Sequence, residues 1–285
     1  MDANRNSLSK SDRVSHLRAL VAIARKDWII FWRYPLNAAS QIVQPLVWLA
    51  PVFFMGRAFS SNGQALGFAG YSGTTDYMSF IILGTALSSF IGAVFWGMGF
   101  ALKNDMDAGV LETNWMAPVP RVLLLVGHTL ANMLITLATM LGMLAGATLL
   151  FGFHPTGNAL AAILSVIPML IGLYGFGFAF AALVLLMREA NTLVDVSNFL
   201  VQTFSGESFP VNSLPRGLLP VALALPTTYG YDLARGWLLK THTLLPVNVE
   251  TGILVVSMLA LVWVGLYVFR GLERRVRTLG TLGQH

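Results

Sequence analysis

Long apolar stretches separated by short polar ones follow one another along most of the chain. Six stretches stand out, near Leu36–Phe59, Tyr77–Leu102, Val122–Phe151, Ala159–Met187, Thr192–Phe204 and Val249–Phe269. A bilayer core about 30 Å thick is crossed by about 20 apolar residues in a helix. Five stretches reach that length, and Thr192–Phe204 is shorter, with neighbouring helices needed to complete its crossing. The pattern predicts an all-α membrane protein with six transmembrane helices.

Before the first apolar stretch, positions 15–32 have the period of an amphipathic helix. The apolar positions recur at steps of three and four residues: Leu17, Leu20, Val21, Ala24, Trp28 and Phe31. The basic positions gather on the opposite face: Arg18, Arg25, Lys26 and Arg33. A basic helix with Trp on its apolar side lies in the membrane interface. It serves either as a surface anchor or as a lever that also touches a cytoplasmic partner. Tyr34-Pro35 is expected to end it.

The composition agrees with a membrane protein and excludes several other classes. Of the 285 residues, 55% are hydrophobic and only 11% are charged, whereas soluble domains carry roughly 25% charged residues. The chain has no cysteine, which excludes disulfides and thiolate metal sites. The net charge is +5. We interpret the positions of the basic residues relative to the spans as evidence of membrane orientation, and not as a nucleic-acid-binding surface.

Basic residues are concentrated on one side of the six predicted spans. That side carries Lys10, Arg13, Arg18, Arg25, Lys26, Arg33, Lys103, Arg121, Arg188, Arg270, Arg274, Arg275 and Arg277. An excess of Lys and Arg marks the cytoplasmic side. Both termini are therefore predicted to be cytoplasmic, and the basic, amphipathic N-terminus does not resemble a cleavable signal peptide.

A polar stretch interrupts the apolar sequence between the second and third spans. Residues 105–116 can form a short amphipathic helix in which Met106, Val110, Leu111 and Trp115 share a face. One interpretation is a solvated turn between two long helices. The other is a docking element whose Trp and Met fill a groove on a partner, since both residue types are favoured at interfaces.

Two motifs resemble the permeases of type-2 ATP-binding cassette (ABC-2 type) exporters. The run "DAGVLETNWMAPVPR" is similar to their cytoplasmic loop, in which a Gly-x-Leu-Glu element precedes a Pro- and Arg-containing close. The stretch "SGESFPVNSLPRGLLPVALALPTTYGYDLARG" resembles their external segment after the fifth span. The order and spacing of the motifs, with the N-terminal helix and six spans, extend the resemblance over nearly the whole chain.

The resemblance implies a single transmembrane domain over residues 1–285. Its parts are a tail and interface helix (1–35), spans one to five (36–204), an external segment (205–248), and a sixth span with a basic tail (249–285). The external segment would form short re-entrant helices, an expectation that Pro210, Pro215, Pro220, Pro226 and the apolar run "LLPVALALP" also support. The implied location is the inner membrane of a bacterial or archaeal cell.

The resemblance also implies partners and site residues. Two separate ATPase subunits would bind ATP and Mg, leaving no cofactor in this chain, and a second permease copy would complete a homodimer or heterodimer beside membrane lipid. The implied ATPase-coupling residues are Asp105, Asp107, Gly109, Leu111, Glu112, Trp115, Met116, Pro118 and Arg121. Since the family pairs through spans one and five, the pathway or interface candidates are Gln41, Gln44, Trp48, Asn198 and Gln202.

Enzyme motifs are missing from the sequence. The run "ARGWLLKT" lacks the glycine that a phosphate-binding loop needs before its lysine. The five histidines are scattered without metal-ligand spacing, and no Gly-x-Ser-x-Gly elbow occurs. We therefore expect neither catalysis, nor a metal site, nor nucleic-acid binding.

Two transport functions remain for the chain. The first is ATP-driven export of an amphipathic drug, a lipid or a lipid-linked molecule, because the spans offer an apolar path with few charges. The alternative is an ion-coupled secondary transporter or channel. Such proteins usually carry ionisable residues near the middle of their spans, where this sequence has almost none.

Overall fold

The computed structural model describes residues 18, 20–59, 65–98, 100, 109, 121–186 and 190–279. Within these ranges the chain is helical, with turns and short connections and no strand. The helices are α1 (20–33), α2 (Pro35–Phe59), α3 (Leu66–Ser72), α4 (Tyr77–Gly92), α5 (Arg121–Phe151), α6 (Ala159–Leu186), α7 (Ala190–Phe204), α8 (Leu219–Ala224), α9 (Pro226–Leu239) and α10 (Val247–Leu279).

Five helices among the described residues are long and apolar enough to cross a membrane. They are α2, α4 with its extension to Gly97, α5, α6 and α10. The short fifth stretch is also a helix, α7, but its 15 residues extend only about 22 Å at 1.5 Å per residue. The all-helical fold of the described residues and five helices of membrane-spanning length are thus confirmed, and a sixth crossing by α7 stays a prediction.

The N-terminal helix α1 ends where the sequence predicts. Residues 20–33 are helical, Tyr34 is not, and α2 begins at Pro35. Ala24 and Phe31 are buried on one side, whereas the basic residues are exposed: Arg18, Arg25, Lys26 and Arg33. Trp28 is half-buried. Val21 of the predicted apolar face is 63% exposed. The helix is thus present, and its role as an amphipathic interface helix stays a prediction.

Small residues allow the central helices to pack closely. α6 has its most extensive contact with α10, where a Cβ on Gly265 would collide with the backbone oxygen of Gly175. One turn earlier, Gly172 lies against Met258. The glycine-rich run in α6 thus serves for close helix packing. α4 is the most buried of the five spans and α2 the least.

We call the two ends of the bundle the basic end and the distal end. The basic end carries α1 and the start of α5. Ile23 of α1 packs over Gly127 of α5 and so joins the two helices. The distal end carries α3, residues 205–246 and the connection between α5 and α6. Backbone hydrogen bonds join these parts: Gly157 N donates to Leu238 O at 2.9 Å, and His242 N donates to Ser72 O at 3.0 Å.

Prolines divide the distal segment as the sequence predicts. A 3₁₀ turn at Val211–Ser213 follows Pro210, Pro220 lies in the first turn of α8, and Pro226 opens α9. These positions tolerate proline because the first turn of a helix does not need its N–H groups. The short helices are confirmed, and their depth in a membrane stays a prediction.

Candidate functional site

The clearest polar site lies at the distal end, around the guanidinium of Arg235. Arg235 is 2% exposed. Its Nη1 donates to Gly206 O at 2.6 Å, its Nη2 to Glu207 O at 2.6 Å and its Nε to Phe80 O at 3.2 Å. Its Cζ also lies 3.5 Å from the centre of the Phe80 ring. We call this arrangement the distal clamp, because one side chain of α9 ties together α4 and the turn after α7.

Two glycines make room for the distal clamp. Gly206 has a φ of +81°, a left-handed conformation that glycine adopts without strain, and it directs its carbonyl toward Arg235. Gly84 on α4 has no space for a Cβ, which would collide with Glu207 O and the Arg235 Nη2. The planar guanidinium then donates to all three carbonyls at once, which a lysine ammonium cannot do in the same geometry.

The Glu207 side chain extends the clamp to α4. Its Oε1 accepts a hydrogen bond from Ser88 Oγ at 2.7 Å. Burial raises the pKa of Glu207, and the Ser88 hydrogen bond and the Arg235 charge only partly oppose that shift. Burial lowers the pKa of Arg235 to about 10, so the guanidinium stays charged at neutral pH. The clamp is therefore a charged, buried and hydrogen-bonded centre.

Two further acids lie beside the clamp. Asp232 accepts a hydrogen bond from Leu244 N at 2.6 Å, and burial raises the pKa of this carboxyl. Glu250, in the first turn of α10, is completely buried. Neither of its carboxylate oxygens has a hydrogen-bond partner within the described part of the chain. The sequence suggested spans nearly free of charge in their middles, and Glu250 lies at the distal end of its span.

At the other end of α4, the helix widens into a π-helical turn at Ala93–Met98. Such turns change the register of the backbone hydrogen bonds and are frequent at functional sites. Asn132 Nδ2 of α5 donates to Ala93 O at 2.8 Å and lies against Gly97. α4 and α5 are therefore joined at the point where α4 departs from regular geometry.

One stripe of α4 remains partly exposed although the helix is the most buried span. It consists of Thr85, Ser89, Gly92 and Trp96, at steps of four, three and four residues. Gln202 of α7 lies beside this stripe and donates a hydrogen bond from Nε2 to Ser88 O at 3.3 Å. α2 contacts the distal start of the same helix, where Tyr77 Oη donates to Phe53 O at 3.0 Å.

The five pathway or interface candidates lie on the two helices that flank α4. On α2, Gln41 and Gln44 are exposed and Trp48 is 73% exposed. On α7, Asn198 and Gln202 are half-buried, and Asn198 Oδ1 has no hydrogen-bond partner among the described residues. By contrast, the aromatic side chains of Phe90 and Phe95, on α4 and its extension, are buried in the core.

The N-terminal helix is held to the bundle by an acid–histidine pair. His128 Nδ1 of α5 lies 2.7 Å from Asp27 Oδ2. Burial alone would raise the pKa of Asp27, but the hydrogen bond and charge of His128 outweigh it, and the net pKa is lowered. A local sequence pattern does not reveal this pair, because the two residues lie 101 positions apart in the chain.

The predicted ATPase-coupling residues fall almost entirely outside the described residues. Within that set, Gly109 is exposed with a φ of +68°, and Arg121 is the first residue of α5. The others lie outside: Asp105, Asp107, Leu111, Glu112, Trp115, Met116 and Pro118. No group of three or more His, Asp or Glu residues that could hold a metal ion occurs in the ranges that the structure describes.

Comparison with known proteins identifies one family. The family model described as ABC-2 type transporter matches residues 18–239. This range includes α1, the polar stretch between α4 and α5, the distal clamp and all of α9. No curated protein matches the chain significantly.

Proposed function

The chain belongs to the ABC-2 type transporter family, and from this premise we propose that it is the permease subunit of an ATP-driven exporter. Members of this family are membrane components of transport complexes and are not themselves catalytic. The proposed cargo is an amphipathic drug, a lipid or a lipid-linked molecule. It would leave the cytoplasm or the inner leaflet by a path through the membrane-spanning subunits.

The family match is the observation that carries the proposal. It extends over residues 18–239, and thus over the amphipathic helix, four of the five spans and most of the distal segment. The coupling element that we propose, Asp105–Met116, falls inside the matched range. We infer that two separate ATPase subunits bind there, one for each of two permease copies.

The distribution of charge supports an orientation with the basic end in the cytoplasm. Arg25, Lys26 and Arg33 are exposed on α1, and cytoplasmic segments of membrane proteins carry an excess of such residues. In this orientation the coupling element faces the ATPase, and the distal clamp faces the outside of a bacterial or archaeal inner membrane.

The proposed mechanism begins at the coupling element. Closure of the ATPase pair on ATP would push Asp105–Met116, which connects α4 to α5. The π-helical turn of α4 and its hydrogen bond from Asn132 lie next along that path. Because the distal clamp holds the other end of α4, the displacement would move α2 and α7. Those helices would then rearrange the path between the two permease copies.

The side chains on α2 and α7 support a cargo with little charge. The polar candidates there are amides, Gln41, Gln44, Asn198 and Gln202, among apolar neighbours. Amides donate and accept hydrogen bonds without a charge to transfer. A molecule with an apolar body and a few polar groups fits this environment better than a charged polymer.

The test is a mild-detergent purification of the tagged chain from its native membrane. We expect an ATPase to copurify in stoichiometric amount with the unaltered chain and to be lost from a chain carrying Glu112→Arg with Trp115→Ala. The matched control, Arg216→Glu with Trp237→Ala, also reverses one charge and removes one Trp. It does so at the exposed distal end and should retain the ATPase.

Two outcomes would contradict the proposal. Equal recovery of the ATPase with both altered chains would exclude Asp105–Met116 as the coupling element. If no ATPase copurifies and the purified chain alone moves solute down an ion gradient, the chain acts as a secondary transporter, and the ATP-driven mechanism is wrong.

A further inference from the structure

An apolar cavity of about 330 Å³ lies at the distal end, separate from the clamp and from the exposed stripe of α4. The last turns of α2 form one wall, with Val52, Met55 and Phe59. Phe68 of α3 and Phe209 of the distal segment form the opposite walls. The volume falls at the lower end of the range for small-molecule sites.

The chemistry of the lining selects an apolar occupant. None of the described residues that line the cavity is charged, and the polar groups among them are hydroxyls, including those of Ser208 and Ser213. Apolar cavities hold ordered water poorly because water there lacks hydrogen-bond partners. An occupant must therefore bring hydrocarbon to the walls and, at most, uncharged polar groups to the serines.

The depth of the cavity matches one leaflet of a bilayer. The midpoint of α2 is Val47, so at 1.5 Å per residue Val52 lies about 8 Å and Phe59 about 18 Å from the middle of the helix. Half of a hydrocarbon core is about 15 Å thick. With α2 crossing the membrane, the cavity extends from inside the hydrocarbon of the distal leaflet to its headgroup region.

The cavity opens on the exposed side of the last two turns of α2, beyond Trp48 toward the distal end. Met55 and Phe59 line it and are also 58% and 86% exposed. Hydrocarbon chains packed along the exposed side of α2 thus have a route into the cavity by lateral movement alone. A water-soluble ligand, by contrast, would have to leave water for a site without a charged group to orient it.

We propose that this cavity binds one acyl chain of a bilayer lipid from the distal leaflet. The acyl chain lies between α2 and the segment 208–213, and the glycerol or headgroup end of the lipid lies near Ser208 and Ser213. Arg235 holds Gly206 and Glu207, so the wall that follows them is anchored, whereas α2 is the least buried span. A bound acyl chain therefore fills the gap between this anchored wall and the last turns of α2. This inference requires no ATPase.

The experiment uses the full chain in phosphatidylethanolamine–phosphatidylglycerol vesicles that contain a small fraction of a phospholipid with a diazirine near the end of one acyl chain. After irradiation, mass spectrometry maps the labelled residues. We expect label on Met55, Ile81 and Phe209. A parallel sample contains a single-chain alkyl glycoside with the same diazirine instead of the phospholipid.

Two substitutions on or next to α3 form a matched pair. Ala65→Trp puts an indole into the cavity that Ala65 lines, and should lower labelling of Phe209 at least fivefold. Gly70→Trp adds the same side chain where a Cβ meets no neighbour, and should leave labelling unchanged. If Ala65→Trp does not yield folded protein, Ser208→Trp fills the cavity from its exposed rim and should have the same effect.

Label confined to the outward faces of α2 and α10, and unchanged by a filled cavity, would overturn the proposal. Label from the alkyl glycoside alone would also overturn it, because the occupant would then be a single-chain molecule and not a bilayer lipid. The result does not depend on the ATPase copurification, so either inference can fail while the other holds.

Discussion

The distal clamp and the outward side of α2 represent opposite ways of building a membrane protein. In the clamp, Arg235 is 2% exposed and donates to three backbone carbonyls from two separate parts of the chain. On α2, Trp48 is 73% exposed, and few residues of the helix are buried. The first region is held by directional hydrogen bonds, and the second presents apolar surface to whatever surrounds it.

This difference suggests which parts of the molecule stay fixed and which move. Buried, charge-assisted hydrogen bonds are costly to break because the partner groups remain without water. An apolar helix face exchanges lipid, a second protein copy or cargo without that cost, since one apolar environment replaces another. We therefore assign anchoring to the distal clamp and rearrangement to α2 and α7.

The largest expected effect is that of Arg235→Ala. Gly206 O and Glu207 O would lose their arginine donors, whereas Phe80 O lies within α4 and keeps its helical hydrogen bond. Each unsatisfied group costs about 1–3 kcal/mol, so we expect a loss of about 3 kcal/mol in stability. Arg235→Lys should recover only part of it, because a single ammonium does not reproduce the planar fork. Thermal unfolding in detergent, followed by size-exclusion chromatography, measures both effects.

The control is Arg216→Ala, which removes an exposed arginine from the same segment. Its effect should stay within about 0.5 kcal/mol, as is usual for surface substitutions. If Arg235→Ala unfolds at the same temperature as Arg216→Ala, the clamp does not anchor the distal end.

An intermediate effect, on pairing rather than stability, is expected for Trp48→Ala. Truncation of a central interface Trp typically costs about 2 kcal/mol of binding, or roughly 30-fold in the pairing constant. The stability of the single chain should change by less than about 0.5 kcal/mol. Recovery of a second, differently tagged copy of the chain from detergent measures the pairing.

Trp263→Ala is the matched comparison, because Trp263 is 69% exposed on α10. It should leave recovery of the second copy unchanged. If Trp263→Ala abolishes pairing and Trp48→Ala does not, the permease copies meet through α10 and not through α2.

The smallest expected effect is the pH dependence of the clamp region. Burial raises the pKa of Glu207 and of Asp232, so the folded state binds these protons more tightly than the unfolded state. The resulting stabilisation is complete below their usual pKa values and is lost as the pH rises through the raised ones. The melting temperature should therefore fall as the pH rises from 5 to 8.

Glu207→Gln separates this effect from other titrations. The amide oxygen still accepts the Ser88 hydrogen bond but does not ionise, so the fall between pH 5 and 8 should become smaller. The lowered pKa of Asp27 acts in the opposite direction, because it stabilises the folded state at higher pH. This stabilisation is lost only at pH values below 3.8, outside the measured range. An unchanged pH profile in Glu207→Gln would show that Glu207 contributes nothing to it.

Much of the fold was predictable because it depends on patterns that are local in sequence. The lengths of the apolar stretches predict the helices that cross the membrane, and five of them have the required length. Tyr34-Pro35 predicts the break between α1 and α2, since proline restricts the residue before it. The family also followed from short motifs, and the match over residues 18–239 confirms it.

The contacts that define the sites were not predictable in this way. Glu207 and Arg235 have partners, Ser88 and Phe80, that lie more than a hundred positions earlier in the chain. The partial exposure of Thr85, Ser89, Gly92 and Trp96 is likewise decided by which neighbours cover α4.

By itself, the sequence determined that this protein belongs in a membrane, how long its helices are and to which family it belongs. These properties depend on hydrophobicity and backbone restrictions, which act over a few residues at a time. Only the tertiary structure decided that Arg235 is the centre of a buried clamp, that Asp27 pairs with His128 and that a cavity separates α2 from residues 208–213. These features arise where distant segments meet, and burial, hydrogen bonding and shifted pKa values depend on that meeting rather than on the identity of the residues alone.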